Sequence, residues 1–359
     1  MKFAFVITNL CGGGAEKAIL KTAHALLGSG HDVWIITLES RVDYDLPAGI
    51  HWHSIVQVGK QMGKGWLGKR KLAWQLRQYM ARLVPDVVVS TLPFADEVAH
   101  LAKLRNHWCR IANTLSEEIA LLEKSNPVKA QRRRKRYQSI YNQHGLIAVS
   151  EGVATDLRQH VSCASPIVEI PNPFEFEPIR QSSEFPINAP AEPFAVHVGR
   201  FAPQKRHDLL LDAWQRLDVP HKLLLLTEPH PPLDAMIRER GLQQRVEVVG
   251  FQKNPYPWMR QAELLVLCSD HEGLPNVLIE SLICGTPVVS TDCPSGPRQI
   301  LGAALPECLV PVGNVDALAQ AIATCLRETP DITQVDLQRY GSEAVAEAYE
   351  RLAQKRGGC

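Results

Sequence analysis

His271-Glu272-Gly273-Leu274-Pro275-Asn276-Val277-Leu278-Ile279-Glu280 sets two glutamates eight residues apart around a Gly-Leu-Pro turn. The stretch follows the apolar run 264–268 and opens a helical pattern. Pro275 suits that start, because its fixed φ and missing N–H cost little in the first turn of a helix. A helix that begins at the carboxyl end of a strand presents unpaired N–H groups and a positive dipole, a ready site for an anion. The donors here would come from Gly273, Leu274 and Asn276. Glu272 precedes the helix and Glu280 lies more than a turn along it, so the two can hold paired hydroxyls at opposite ends of one ligand. An acidic helix start with Glu280 on a solvated face would give the same spacing; the strand-loop-helix context favours the ligand.

Outward from this stretch, short apolar runs alternate with helical periodicity along the whole chain. Strands are expected at 3–8, 33–38, 86–91, 109–112 and 146–150, then at 194–199, 222–227, 246–250, 264–268, 287–291 and 308–312. Ala18, Leu20, Ala23, Leu26 and Leu27 fit a helix that packs one face on a sheet. Continuous apolar strands separated by helices imply parallel sheets covered on both faces, hence doubly wound α/β units. Five prolines fall between 171 and 190, which suits an extended linker. The expected domains are therefore 1–175 and 190–335. A last helical pattern, through Leu337, Ala344, Ala348 and Leu352, either caps the second domain or, over 338–359, packs back on the first.

A second constellation, Val198-Gly199-Arg200-Phe201-Ala202-Pro203-Gln204-Lys205, ends the first strand of the second half and leads into a helix at 208–217. Gly199 allows a tight turn, and Arg200 and Lys205 place two cations at the edge where doubly wound sheets bind ligands. Cations at a helix N-terminus oppose its dipole unless an anion joins them. Two cations there can stabilise charge growing on a leaving diphosphate, the task a divalent metal performs elsewhere. A pair of surface basic residues is the plainer alternative.

The G-R-x4-K loop, followed by E-G-x-P-x4-E and then by Cys284-Gly285-Thr286-Pro287-Val288-Val289, resembles the retaining GT-B glycosyltransferases of family 4. The resemblance covers nearly the whole chain and is most specific in the second half. It implies two Rossmann-like doubly wound domains that face a central cleft, with the nucleotide-sugar donor on the second. Asp292-Cys293-Pro294-Ser295-Gly296-Pro297-Arg298 is similar to a version common in enzymes of bacterial surface-glycan synthesis, which often use uridine diphosphate sugars. By the same resemblance, Arg200 and Lys205 bind the diphosphate, Glu272 contacts the donor sugar and Glu280 holds the ribose. Backbone around Phe251 and Gln252 reads the base. The implied reaction moves a hexose or N-acetylhexosamine to a glycan or lipid-linked glycan with retention, by front-face attack within an ion pair. The departing phosphate helps to take the acceptor's proton. It calls for no metal and no cofactor. A nucleotide-sugar 2-epimerase of the same architecture is the alternative, but the acids and histidine needed for proton shuttling at C2 cannot be placed.

The first half carries weaker signals. Asn9-Leu-Cys-Gly-Gly-Gly-Ala-Glu16 lies between the first strand and helix. Its glycines permit close approach to a ligand, and a tight structural turn explains them equally well. Gly12 and Gly14 fit G-x-G-x-x-G but position 17 is Lys, which counts against a dinucleotide fold. The resemblance turns this loop toward the cleft and suggests Gly13, Gly14 and Glu16 on the acceptor or phosphate side. Where many relatives carry a histidine after the fourth strand, this chain has Asn113, able to hydrogen-bond a sugar hydroxyl but not to act as a cation.

Charge is uneven although the net is +1. Residues 1–185 hold 23 Lys and Arg against 17 Asp and Glu, a balance of +6, and the remaining 16 against 21 leave −5 in the second half. Between Asp45 and Asp86 there is no acid. There Leu72, Leu76, Tyr79, Met80 and Leu83 form a core face, while Leu67 and Trp74 lie opposite, beside Arg70 and Arg77. A Trp flanked by arginines suits an anionic membrane surface. Arg132, Arg133, Arg134, Lys135 and Arg136 make a second basic run, for which a solvated helix is an equal alternative. No aromatic platform accompanies the charge, so nucleic acid is not expected. No apolar run approaches the roughly 20 residues of a membrane span. The nine scattered cysteines form no C-x-x-C pair and suit a reducing cytosol. The opening residues read as a buried strand and not as a signal segment. The expected location is cytoplasmic, with peripheral contact at the inner face of the membrane.

Overall fold

The computed structural model describes residues 1–354 except 12, 45, 58, 59, 61 and 162–164. The chain divides into two compact units, Met1–Pro173 with Gln338–Cys359, and Phe174–Leu337.

The first unit is built from β1 (Lys2–Ile7), α1 (Gly14–Gly28), β2 (Asp32–Thr37), β3 (His51–Ser54), α2 (Trp66–Leu83), β4 (Val87–Thr91), α3 (Pro93–Ala102) and β5 (His107–Ile111). It continues with α4 (Leu115–Ser125), α5 (Pro127–Tyr141), β6 (Gly145–Ala148), α6 (Glu151–Asp156) and β7 (Ile167–Glu169). The strands form one parallel seven-stranded sheet, β3-β2-β1-β4-β5-β6-β7. Side chains alternate across a strand, and β1 shows the result. Phe3, Phe5 and Ile7 enter a core shared with α1, whereas Ala4 and Val6 enter the opposite core with Leu72, Leu76 and Met80 of α2. The closing segment of the chain, a helix at Ser342–Gln354, joins the α1 side through Val345, Ala346, Tyr349 and Leu352. Its Tyr349 ring meets Phe5 at 6.0 Å, and its Glu350 accepts from His31 at 2.7 Å.

The second unit contains α7 (Phe176–Ser183), β8 (Phe194–Val198), α8 (His207–Gln215), β9 (Lys222–Leu226), α9 (Pro231–Glu239), β10 (Val246–Val248) and α10 (Tyr256–Gln261). There follow β11 (Leu264–Leu267), α11 (Asn276–Ile283), β12 (Val288–Thr291), α12 (Pro297–Leu301), β13 (Leu309–Val310) and α13 (Val315–Arg327), with α14 the Ser342–Gln354 helix of the first unit. The six-stranded sheet runs β10-β9-β8-β11-β12-β13. Both sheets are doubly wound, and their strand order reverses between β1 and β4 and between β8 and β11. Ligands bind at such reversals, outside the carboxyl ends of the strands.

Three features depart from the sequence reading. Strands β3 and β7 were not expected. Each is an edge strand with one neighbour, so neither needs an apolar run: His51 and Trp52 of β3 are exposed, and all of β7 is half-buried. The proline-rich segment expected to be an extended linker contains α7. Its Pro178 falls in the first turn, where a proline is tolerated. Ile179 is buried, and Asn254 Nδ2 donates to Ser182 O at 2.9 Å near the helix end. Of the expected closing helix at 338–359, residues 355–359 lie outside the described residues.

Candidate functional site

In the second unit the loops after β8 and β11 flank the reversal point, and several bonds stitch them together. Gln204 Nε2 donates to His271 O at 2.5 Å, and Asp270 N donates to Gln204 O at 2.9 Å. Arg206, in a left-handed conformation at φ 50°, forks onto Asp208 beside it and reaches Asp270 across the loops at 2.9 Å. Within this frame Lys205, at the end of a 3-10 turn (Pro203–Lys205), donates from Nζ to Glu272 Oε1 at 2.6 Å. Ser269 Oγ donates to the same carboxylate oxygen at 2.6 Å. Glu272 is 8% exposed. A carboxylate so buried needs its cation, since removing one partner of such a pair leaves an uncompensated charge.

The Gly-Leu-Pro turn is fixed from both sides. Leu274 and Pro275 are buried, and Leu278, Ile279 and Leu282 anchor α11 in the core. Gly296 has φ 112°, and a Cβ there would fall 2.2 Å from Pro275 Cδ. Backbone from the loop after β12 therefore packs directly on the turn, where only glycine fits. Gly273 and Leu274 lie in the turn, and Asn276 opens α11. Glu280, on the same helix, accepts from Tyr256 Oη at 3.4 Å. Burial first, and then the Glu280 charge, raise the Tyr256 phenol above its ordinary range, so Tyr256 acts there as a donor.

Beside these loops lies a cavity of about 290 Å³ lined by Gly199, Arg200, Phe201, Thr227, Phe251 and Gln252, among others. Phe251 is 60% exposed. Arg200 is exposed and, among the described residues, forms no ion pair. Thr227 Oγ1 is buried without a hydrogen-bond partner. Of the two cations expected on this loop, one is thus held by a buried carboxylate and the other stands open.

The structure adds residues that the sequence reading missed. His197 and His207 meet at 4.7 Å between ring centroids. Burial pushes the His197 imidazole down to about 3 and the His207 imidazole down to about 4, with the Lys205 charge adding to both. Both are neutral at pH 7, leaving Lys205 as the cation of this group. A histidine inside the apolar run Phe194-Ala195-Val196-His197-Val198 was the available signal. Ser269 and Tyr256, which hold the two glutamates, carried none.

In the first unit Gly13 caps α1, and a Cβ on it would fall 1.9 Å from Glu16 Oε2. Glu16 is 8% exposed, while Gly14 has nothing within 4 Å of where its Cβ would be. Asn113 is exposed in the loop after β5, fifth in the chain because β3 precedes it, and its Nδ2 lies 3.5 Å from Glu118 Oε1. Among the described residues no hydrogen bond joins Asn113 to Gly13, Gly14 or Glu16. On α2, Trp74 is 63% exposed, and Arg70 and Arg77 are exposed. The basic run on α5 is partly paired: Arg134 meets Glu123 at 3.2 Å and Arg136 meets Glu97 at 3.3 Å, while Arg132, Arg133 and Lys135 show no ion pair among the described residues. Among the described residues no helix is long and apolar enough to cross a membrane, and no group of three or more His, Cys, Asp or Glu is placed to hold a metal ion.

Comparison with known proteins assigns both halves. Residues 12–177 match the model of Glycosyltransferase Family 4, and residues 192–328 match that of Glycosyl transferases group 1. The chain is 29% identical, over 91% of its length and 90% of the relative's, to a Campylobacter jejuni enzyme. That relative is the N-acetylgalactosamine-N,N'-diacetylbacillosaminyl-diphospho-undecaprenol 4-alpha-N-acetylgalactosaminyltransferase. The apo structure of the lipopolysaccharide outer core galactosyltransferase WaaB superposes with a TM-score of 0.72 at 20% identity, over 99% of this chain and 100% of that one. Anabaena HepE, solved with UDP and glucose, superposes with a TM-score of 0.70 at 18% identity, over 99% and 98%. The fold is that of the GT-B glycosyltransferases, and none of these three relatives is an epimerase.

Proposed function

Because the chain belongs to the GT-B glycosyltransferases of family 4, we propose that it transfers a hexose or N-acetylhexosamine from a UDP-sugar to a lipid-linked or other glycan acceptor, with retention and without a metal. The observation that carries this reading is the Lys205–Glu272 pair at the reversal point of the second sheet, followed on α11 by Glu280. Arg200 and Lys205 take the diphosphate. When it arrives, Lys205 gains an anion partner and a Glu272 oxygen is released to the donor sugar's hydroxyls. Glu280, steadied by Tyr256, accepts from the ribose hydroxyls. The base enters beside Phe251 and Gln252, and Gly273, Leu274 and Asn276 surround the phosphates from the helix start.

As the bond from the anomeric carbon to the phosphate oxygen lengthens, charge grows on the diphosphate, and the two cations stabilise it more than they do the ground state. The departing oxygen receives the acceptor hydroxyl's proton on the same face, so the acceptor enters where the leaving group left. Gly13, Gly14, Glu16 and Asn113 are assigned to the acceptor side. The UDP bound to HepE and the diphospho-undecaprenol acceptor named for the Campylobacter relative favour these substrate classes. Trp74, Arg70 and Arg77, with the unpaired Arg132, Arg133 and Lys135, would meet an anionic membrane at its cytoplasmic face, where such an acceptor lies.

The test is incubation with UDP-hexoses and UDP-N-acetylhexosamines and a polyprenyl-diphosphate-linked glycan in excess EDTA. Acceptor-dependent UDP release with an α-linked product from an α-linked donor is expected. A β-linked product, or release that requires added metal, contradicts the mechanism; no acceptor-dependent release contradicts the function.

A further inference from the structure

A cavity in the first unit lies apart from the residues assigned to donor and acceptor, and takes in Arg70, Trp74 and Arg77 of the membrane-facing set. It has a volume of about 740 Å³ and sits at the amino ends of β5, β6 and β7, the sheet edge opposite the glycine-rich loop after β1. Arg70 and Arg77 of α2 line one side, and Lys103, just past α3, lines another. Among the described residues no carboxylate lines the cavity or pairs with these three cations. Asn142 and Gln143 add amide groups to the wall.

Three histidines complete it. His100 Nδ1 and His144 Nε2 are 2.9 Å apart, and the His107 and His144 rings lie 4.5 Å apart. His107 is bonded through Nε2 to Ser90 at 2.8 Å, while its buried Nδ1 has no partner. Burial holds all three imidazoles below their ordinary range, His144 at about 4, so they serve as neutral donors and acceptors. The indole of Trp74 stands exposed at the rim. Three cations without a carboxylate partner, Arg70 lying over the Trp66 ring at 4.8 Å, form with the neutral donors a recognition set for a phosphate oxyanion, because guanidinium groups match its geometry and an acid in the wall would repel it.

We propose that this cavity is a second anion site, which binds a phosphate ester separately from the donor-binding residues of the other unit. A lipid headgroup and a soluble phosphate ester share that chemistry. The site does not rest on the donor reading: its failure leaves UDP binding untouched, and the reverse holds too.

The experiment titrates the full chain with glycerol 1-phosphate by calorimetry and measures retention on vesicles of phosphatidylglycerol against phosphatidylcholine. Wild-type protein is compared with Arg77→Gln, Lys103→Gln and, as a charge-matched control on α2 outside the cavity wall, Lys71→Gln. All three positions are exposed, and thermal unfolding of each variant checks the fold. Saturable one-to-one binding is expected, weakened about tenfold by Arg77→Gln and by Lys103→Gln, the loss of one charge-assisted contact, and unchanged by Lys71→Gln. Phosphatidylglycerol retention falling in the same two variants identifies the ligand as a lipid headgroup; retention unchanged identifies a soluble ester. No saturable binding, or equal weakening by Lys71→Gln, overturns the site in favour of diffuse surface charge.

Discussion

The Lys205 ammonium and the Glu272 carboxylate, 67 positions apart in the chain, meet at 2.6 Å. They do so because β8 and β11 are neighbours in the sheet, and the loops leaving their carboxyl ends face each other across the reversal of strand order. In the proposed function, a cation for the leaving group and a carboxylate for the sugar are thereby stored as a mutual pair until substrate separates them.

Replacing Glu272 by Gln keeps the shape and the bond from Ser269 but removes the charge. UDP affinity is expected to stay within about threefold, while kcat falls about a hundredfold, the scale of one lost transition-state contact. Steady-state kinetics beside UDP titration check this; equal losses in affinity and kcat would place Glu272 on the nucleotide.

Glu280→Ala is expected to weaken UDP about tenfold, as loss of a hydrogen-bonded charge does. Tyr256→Phe, which removes only the 3.4 Å bond to Glu280, should weaken it about two- to threefold, the low end for a neutral donor. A Tyr256→Phe loss as large as that of Glu280→Ala would show a direct contact of the phenol with substrate.

How much of this was legible follows from where each residue sits. The strand-loop-helix placement of the glutamates and the Gly-Leu-Pro turn could be read because it is local, an apolar run that ends just before a helix start. Lys205 was legible as a cation but its bond to Glu272 was not, since that depends on strand order. Ser269 and Tyr256 belong to ordinary segments and gain meaning only from the side chain they touch. Strands β3 and β7 escaped because a one-sided edge strand needs no apolar pattern, and α7 escaped because its proline stands in a first turn, where it does no harm.

Gly296→Ala should destabilise the second unit by about 2 kcal/mol or more, since φ 112° is strained for any L side chain and a Cβ would overlap Pro275. Calorimetric unfolding checks this, with a melting temperature lowered by about 4 °C or more. UDP affinity should fall as well, because the displaced turn carries Gly273 and Leu274.

Buried groups are expected to give stability limbs of opposite sign, an acid limb from depressed imidazoles in both units and a neutral limb from Asp96 in the first. His197 and His207 are held neutral when folded, at about 3 and about 4, whereas unfolded imidazoles take up protons near about 6.5. Their contribution is complete above that value and is lost as pH falls from 6.5 toward 4. In the first unit, burial raises the Asp96 carboxyl to about 7, despite bonds from Ser90 and Tyr141. Its contribution is complete below the unfolded value, near about 3.9, and is lost as pH rises through 7. His207→Phe should flatten the acid limb of the stability profile and Asp96→Asn the neutral limb, each read from chemical unfolding at pH 4 to 8. An unchanged profile in either variant would show that the group titrates alike in both states.

The most direct test is calorimetric titration with UDP, in excess EDTA, of the wild-type chain and of Lys205→Ala. Metal-free binding is predicted for the wild type, with affinity about tenfold to a hundredfold weaker in the variant, the range for a hydrogen bond to a charged group. Absence of UDP binding to the wild type, or equal affinity in the two proteins, would contradict the assignment of the Lys205–Glu272 pair to the donor.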